Sequence, residues 1–200
     1  MIEIFKPNKY LAVRKNSNYT YSERLGIDSV GFLLIDNTKE KKFGLIEEVK
    51  PPLENRYYKE KSVKESCIHR NDYIFLETAF GGSNDTIELH EYFKMDEQNR
   101  IKHFKKIVKI EVLEEAGYKV QSKDIKFISK EFVSTQQNQF CYLFVVNVTG
   151  KKLGKPTTTD KGEVLSKTKW KNLKEVIKTK CWKAKIIAFN YFIPKDKNVF

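Results

Sequence analysis

An α/β or α+β sandwich is the fold class that this sequence predicts, and three observations carry the prediction. Strand-like and helix-like stretches are interspersed along the chain rather than segregated. Asp28–Ile35 is almost continuously apolar, as suits a strand covered on both faces, and Phe140–Val148, β-branched and aromatic throughout, is the strongest strand signal in the chain. One helical segment, about 104–116, carries a single apolar stripe of Phe104, Ile107, Val108 and Val112 and so covers one face of a sheet.

Composition bounds the rest. Two hundred residues, 40% hydrophobic and 13% aromatic, suffice for one domain with a sizeable core. No apolar run approaches bilayer length, and Met-Ile-Glu-Ile-Phe-Lys-Pro lacks a signal-peptide core, so no membrane association is expected. Cys67, Cys141 and Cys181 are odd in number and scattered, which argues against a disulfide framework or a zinc site. A reducing, cytoplasmic location is expected. The net charge of +12 favours anionic partners. Those are nucleotides, phosphorylated metabolites or nucleic acid, and because lysine is spread along the whole chain a generally lysine-rich composition explains the charge as well as a nucleic-acid track does.

In chain order, residues 1–27 read as an N-terminal extension of irregular chain or short strands, Tyr10–Arg14 being the best candidate. Asp28–Ile35 and Phe43–Val49 pair as a hairpin across the polar turn that begins at Asp36-Asn37-Thr38, and Pro51-Pro52 ends the second strand. Residues 53–72 are charged and without period, and read as a loop. Tyr73–Thr78 is a short strand leading to Gly81-Gly82, where two glycines permit close approach. Residues 89–103 are polar; they either begin the next helix early or form a separate excursion. Beyond Gly117, Ile125–Ser129 and Phe140–Val148 read as strands and 149–162 as a loop. Glu163–Trp170 reads as a strand, Asn172–Ile177 as a short helix, and Lys183–Ile193 as a terminal helix ended by Pro194.

The helix at 104–116 breaks three rules in one turn. Glu111 and Glu115 fall within about 20° of Phe104 on the helical wheel, beside the apolar stripe rather than opposite it. Together with Glu114 they stand at i, i+3 and i+4, where like charges cost about 0.2–0.5 kcal/mol per pair. Glu114 and Glu115 also occupy the last turn before a stop at Gly117, the end that disfavours anions. A divalent cation, which takes carboxylate oxygens, would offset all three. The plainer alternative is a solvated acidic helix end. His69, His90 and His103 have no metal-ligand spacing and read as surface residues.

Gly82-x5-Glu88 and Glu111-Val-Leu-Glu-Glu-Ala-Gly-Tyr118 resemble the two halves of the Nudix box, Gly-x5-Glu-x7-Arg-Glu-U-x-Glu-Glu-x-Gly-U with U bulky and apolar. More of the chain is similar to the branch that hydrolyses ADP-ribose and nucleotide sugars. Asp28–Leu34 with Gly44–Pro52 resembles its opening hairpin, and Glu77 with the glycine pair and Asp85 its strand into the box. Asp160–Leu165 with Trp170 resembles its acidic loop and following strand, and Trp182–Ala188 its closing helix. Two departures stand out. Glu88 and Ile110 are separated by 21 residues where the family has seven, an insertion at about 89–103, and Ile110 occupies the position of the family's bracing Arg. Surface insertions cost little loop-closure entropy, so the fold can survive this one.

The resemblance implies an α/β/α sandwich with a mixed sheet over residues 28–200, an Mg²⁺ cofactor with Mn²⁺ as a substitute, and a homodimer. It implies metal ligation by Glu111, Glu114, Glu115, the Gly81 carbonyl and, further out, Glu88. The catalytic set it implies is Glu111, Glu114 and Glu163, the last as general base, with Asp160 as the less favoured alternative. Lys50 would bind phosphate as a point charge. The implied reaction converts ADP-ribose or a nucleotide sugar to a nucleoside monophosphate and a sugar phosphate. The competing expectation, which Ile110 and the insertion favour, is a catalytically weak module that binds RNA or a nucleotide.

Overall fold

The computed structural model of the chain describes residues 2–8, 11–16, 19–24, 28–49, 58–59, 61–65, 67–70, 73–84, 87–134, 137–156 and 167–192. A mixed sheet forms the middle layer. At its centre β4 (Ser29–Asp36) runs parallel to β10 (Gln137–Asn147), and β10 pairs antiparallel with β9 (Ile125–Ser134). On its other flank β4 pairs antiparallel with both β5 (Lys42–Val49) and β8 (Phe80–Ser83). β5 continues the sheet into β7 (Tyr73–Thr78), which pairs with β6 (Ile68–Arg70), while β11 (Lys169–Lys171) pairs with β5.

The period-two alternation of the central strands sorts their side chains into two cores. Val30, Phe32, Leu34, Tyr142, Phe144 and Val146 face one way, where Phe104, Ile107, Val108 and Val112 of the long helix α3 (Glu97–Ala116) cover them. Leu33, Ile35, Cys141, Leu143 and Val145 face the other way, beneath Val176 of α4 (Leu173–Lys178) and Ala184, Ile187 and Ala188 of α5 (Trp182–Phe192). The molecule is an α/β/α sandwich. The apolar stripe read from the sequence is the buried face of α3, extended by Ala116.

Two stretches are more regular than the sequence suggested. Residues 1–27 contain β1 (Ile2–Asn8), β2 (Leu11–Asn16) and β3 (Tyr19–Arg24), an antiparallel meander that joins β10 through a parallel contact at Ser22 and Gln137. The segment read as a loop over 53–72 holds a single helical turn, α1 (Lys61–Lys64), and β6. β6 has no apolar alternation to announce it. Arg70 holds it instead, 3.0 Å from the buried carboxylate of Glu47 and stacked over the Phe75 ring at 4.6 Å.

The insertion takes both of the forms left open by the sequence. A short helix α2 (Leu89–Lys94) comes first, and α3 then starts at Glu97 rather than near 104, with Asp96 accepting the Asn99 amide as its N-cap at 2.7 Å. These extra turns are fastened to the sandwich. The buried Tyr92 hydroxyl donates to Asp28, whose other oxygen accepts the Phe140 amide at 2.8 Å. Burial and the adjoining Asp28 carboxylate push the Tyr92 phenol up, so it stays a donor. Glu97 accepts from Lys130 and from the Tyr142 hydroxyl, both at 3.2 Å. Tyr92→Phe strips one donor from a buried carboxylate and is expected to cost about 1–3 kcal/mol. The check is a lowered urea midpoint at unchanged m; an unmoved midpoint would remove this anchor from the account.

Gly117 ends α3 at φ 75°, with its own amide and that of Tyr118 returning to Leu113 and Val112 at 3.1 and 3.3 Å. A Cβ there would meet the Gly154 carbonyl oxygen at 2.6 Å, because the loop after β10 closes on the helix end through a Gly154 amide to Gly117 oxygen bond of 2.9 Å. α3 is therefore held at its start by Asp96 and Glu97 and at its end by Gly117. Among the described residues no helix is long and apolar enough to cross a membrane.

Candidate active site

A cleft of about 200 Å³ opens where four strand ends and two helices meet. Ser29 and Val30 come from the start of β4, Glu48 from the end of β5, Thr78 and Ala79 from the end of β7 and the residue beyond it, and Gly81 to Ser83 from β8. Glu115 enters from α3 and Lys183 from α5, so side chains from both helical layers reach one hollow.

Glu111 lies against the wall of this cleft. A Cβ on Gly82 would sit 2.1 Å from its Oε1 and 2.6 Å from its Cδ, so the absent side chain of Gly82 is what lets the carboxylate rest on the β8 backbone. β8 is placed for this by pairing with β4, Gly82 opposite Val30 and Gly81 opposite Gly31. One turn further along α3, Glu115 lines the cleft together with Gly81, Gly82 and Ser83 of that strand. All three glutamates of the acidic turn are half-buried.

The three carboxylates do not converge. Glu114 lines a neighbouring groove with Lys106, Lys109, Ile110, Leu113 and Ser122. Among the described residues no group of three His, Cys, Asp or Glu side chains comes together to hold a metal ion. What the site offers is a pair, Glu111 and Glu115, beside the half-buried backbone of Gly81 and Gly82. That donor set consists of oxygens alone, and the glycine cradle leaves room beside it. It fits Mg²⁺, which uses one or two carboxylates, keeps several waters and draws remaining ligands from substrate phosphate.

Glu88 is exposed, and it starts α2 through its carbonyl, which accepts from Glu91 and Tyr92 at 3.1 and 3.0 Å. Ile110 is 49% exposed and makes no brace for α3. Lys50, Asp85, Asp160, Lys161 and Glu163 lie outside the described residues. His69 and His90 are exposed as read. His103 is not. It is half-buried, with Nε2 2.7 Å from Oδ1 of the buried Asn84, the residue that follows β8. Burial, then the charge of Lys106, hold its pKa down, which favours a neutral ring bonding the amide. The insertion thus ties α3 to the strand carrying Gly81 and Gly82.

Glu48 and Lys183 were not singled out from the sequence. Glu48 is hidden in the Glu47-Glu48 pair, of which Glu47 is spent on ion pairs to Arg70 and Lys169 at 3.0 and 3.5 Å. Lys183 is one of 38 basic residues. The signal for it was Gly31, a glycine inside an apolar strand, which marks a close approach of other groups. A Cβ there would lie 3.0 Å from Lys183 Cδ and 3.1 Å from Leu143 Cδ2.

No family model matches the chain, and no curated protein matches it. A solved structure described as the crystal structure of an ADP compounds hydrolase matches over 95% of this chain and 88% of its own, with a TM-score of 0.59 and 11% sequence identity. At that identity the likeness is one of fold: the sandwich is of the Nudix type.

Proposed function

We propose that this chain is a metal-dependent hydrolase of a nucleoside-diphosphate-linked substrate, splitting ADP-ribose or a nucleotide sugar into a nucleoside monophosphate and a sugar phosphate. The observation that carries this reading is the Gly82 cradle, which brings the Glu111 carboxylate onto the β8 backbone while Glu115 enters the same cleft. A carboxylate pair half-buried at a helix C-terminus is poorly placed for stability and well placed for a hard cation.

When bound, Mg²⁺ or Mn²⁺ supplies neutralisation of phosphoryl charge and a water of lowered pKa. Glu111 and Glu115 would hold it, with the Gly81 carbonyl beside them. Glu114 adds negative charge from the adjoining groove, and Glu88 stays at the start of α2. In the reaction the water oxygen bonds to one phosphorus and that phosphorus–bridging-oxygen bond breaks. The water's proton passes to a general base and the bridge oxygen leaves with the other phosphate. Glu163 is the base by resemblance, and Glu48 on the cleft wall is a second candidate for that proton. Lys50 would meet the substrate's phosphate. A homodimer and a cytoplasmic location belong to the same reading.

The test is phosphatase-coupled phosphate release from ADP-ribose, UDP-glucose, NADH and capped RNA, with and without Mg²⁺. Mg²⁺-dependent release from at least one of them is expected. No release from any, alongside tight salt-sensitive RNA binding, would replace the enzyme with a binding module. Exposed Ile110 beside Lys106 and Lys109 is the feature that would then need explaining.

A further inference from the structure

We infer that Lys183 is the substrate-binding cation of the cleft, holding the diphosphate across from Glu111 and Glu115. The inference rests on the hydrolase reading for its ligand class and on geometry for its residue. Lys183 is the only cationic side chain among the described residues that line the cleft, which Glu48 and Glu115 line as well. A diphosphate entering a hollow walled by carboxylates needs a fixed positive charge as well as any metal, because each anionic oxygen left facing a carboxylate is destabilised.

Two features fix Lys183 where it stands. The residue before α5, Cys181, is buried, and its sulfur lies 3.4 Å from the Ala79 amide and 3.3 Å from the Thr78 hydroxyl. That contact seats the first turn of α5 on the junction of β7 and β8, which is the cleft wall. Gly31 then leaves the path along which the Lys183 stem crosses β4, since a Cβ there would meet Lys183 Cδ at 3.0 Å. Burial pushes the Cys141 thiol up while the charge on Lys183 opposes it, as expected of an ammonium close by. A long apolar stem laid over the sheet with its head in a polar hollow is a common use of lysine.

Calorimetric titration of the full-length protein with ADP, in Mg²⁺ and over a range of salt, tests this. Lys183→Met keeps the stem and removes the charge. It is expected to weaken ADP roughly 10- to 100-fold and to flatten the salt dependence, at unchanged melting temperature. Lys183→Arg is expected to recover most of the affinity. Unaltered ADP affinity in Lys183→Met, an unaltered salt slope, or a wild-type protein that binds no ADP would each overturn the assignment. Hydrolysis is scored separately. A wild type that binds ADP and releases no phosphate from any substrate rejects the enzyme reading, and Lys183 is then judged by the titration alone.

Discussion

Glu115→Gln is expected to lower turnover by about two to three decades while leaving the protein as stable as before, or slightly more so. The substitution conserves shape and removes one charge from the carboxylate pair. Loss of charge stabilisation of about 3–4 kcal/mol in the transition state corresponds to that drop, at 1.36 kcal/mol per decade. The stability sign is opposite. Glu115 stands one turn from Glu111 and at the C-terminal end of α3, so removing its charge relieves repulsion of about 0.2–0.5 kcal/mol and an unfavourable dipole contact. Kinetics on the best substrate, with thermal melting and Mn²⁺ titration of both proteins, check both halves. A variant that keeps its kcat and its Mn²⁺ affinity would dismiss Glu115 as a ligand.

Gly82→Ala is expected to cost roughly a hundredfold in turnover although it replaces no ionisable group. Its Cβ would overlap Glu111 at Oε1, Cδ and Cγ, with separations of 2.1, 2.6 and 2.8 Å. The overlapping atoms are the far end of a flexible side chain, so Glu111 swings aside and the strand stays. Folding therefore loses about 1 kcal/mol or less, and the loss falls on the position of one carboxylate. Wild-type kcat in a well-folded Gly82→Ala protein would mean that Glu111 need not rest on β8.

How much of this was legible depended on whether periodicity or single contacts hold a segment. Val30, Phe32 and Leu34 against Leu33 and Ile35, and the stripe Phe104, Ile107, Val108 and Val112, announced both layers of the core because burial repeats along them. The end of α3 was equally plain, since Gly117 is a glycine where the backbone turns left-handed. Its beginning was not. Glu97-Gln98-Asn99-Arg100 is polar throughout, and the turn is fixed by Asp96, by Glu97 on Lys130 and Tyr142, and by Tyr92 reaching Asp28. Apart from the Asp96 cap, which is local, these contacts join residues 33 to 64 positions apart and leave no pattern in a short window. The same holds for the cleft. Glu115, and Glu111 beside the cleft, stood out because they defied the helix, whereas Lys183 broke no rule and Glu48 resembled its buried neighbour Glu47.

The Tyr92–Asp28 and His103–Asn84 ties have a consequence for how the acidic turn keeps its aim. With Ile110 unable to form an ion pair, α3 behaves as a beam clamped through Glu97, through His103 and at Gly117, the first clamp about 21 Å from Glu111 at 1.5 Å per residue. Accuracy at the carboxylates is then inherited from a distant footing. Damage to that footing would surface as slackened chemistry well before the molecule came apart.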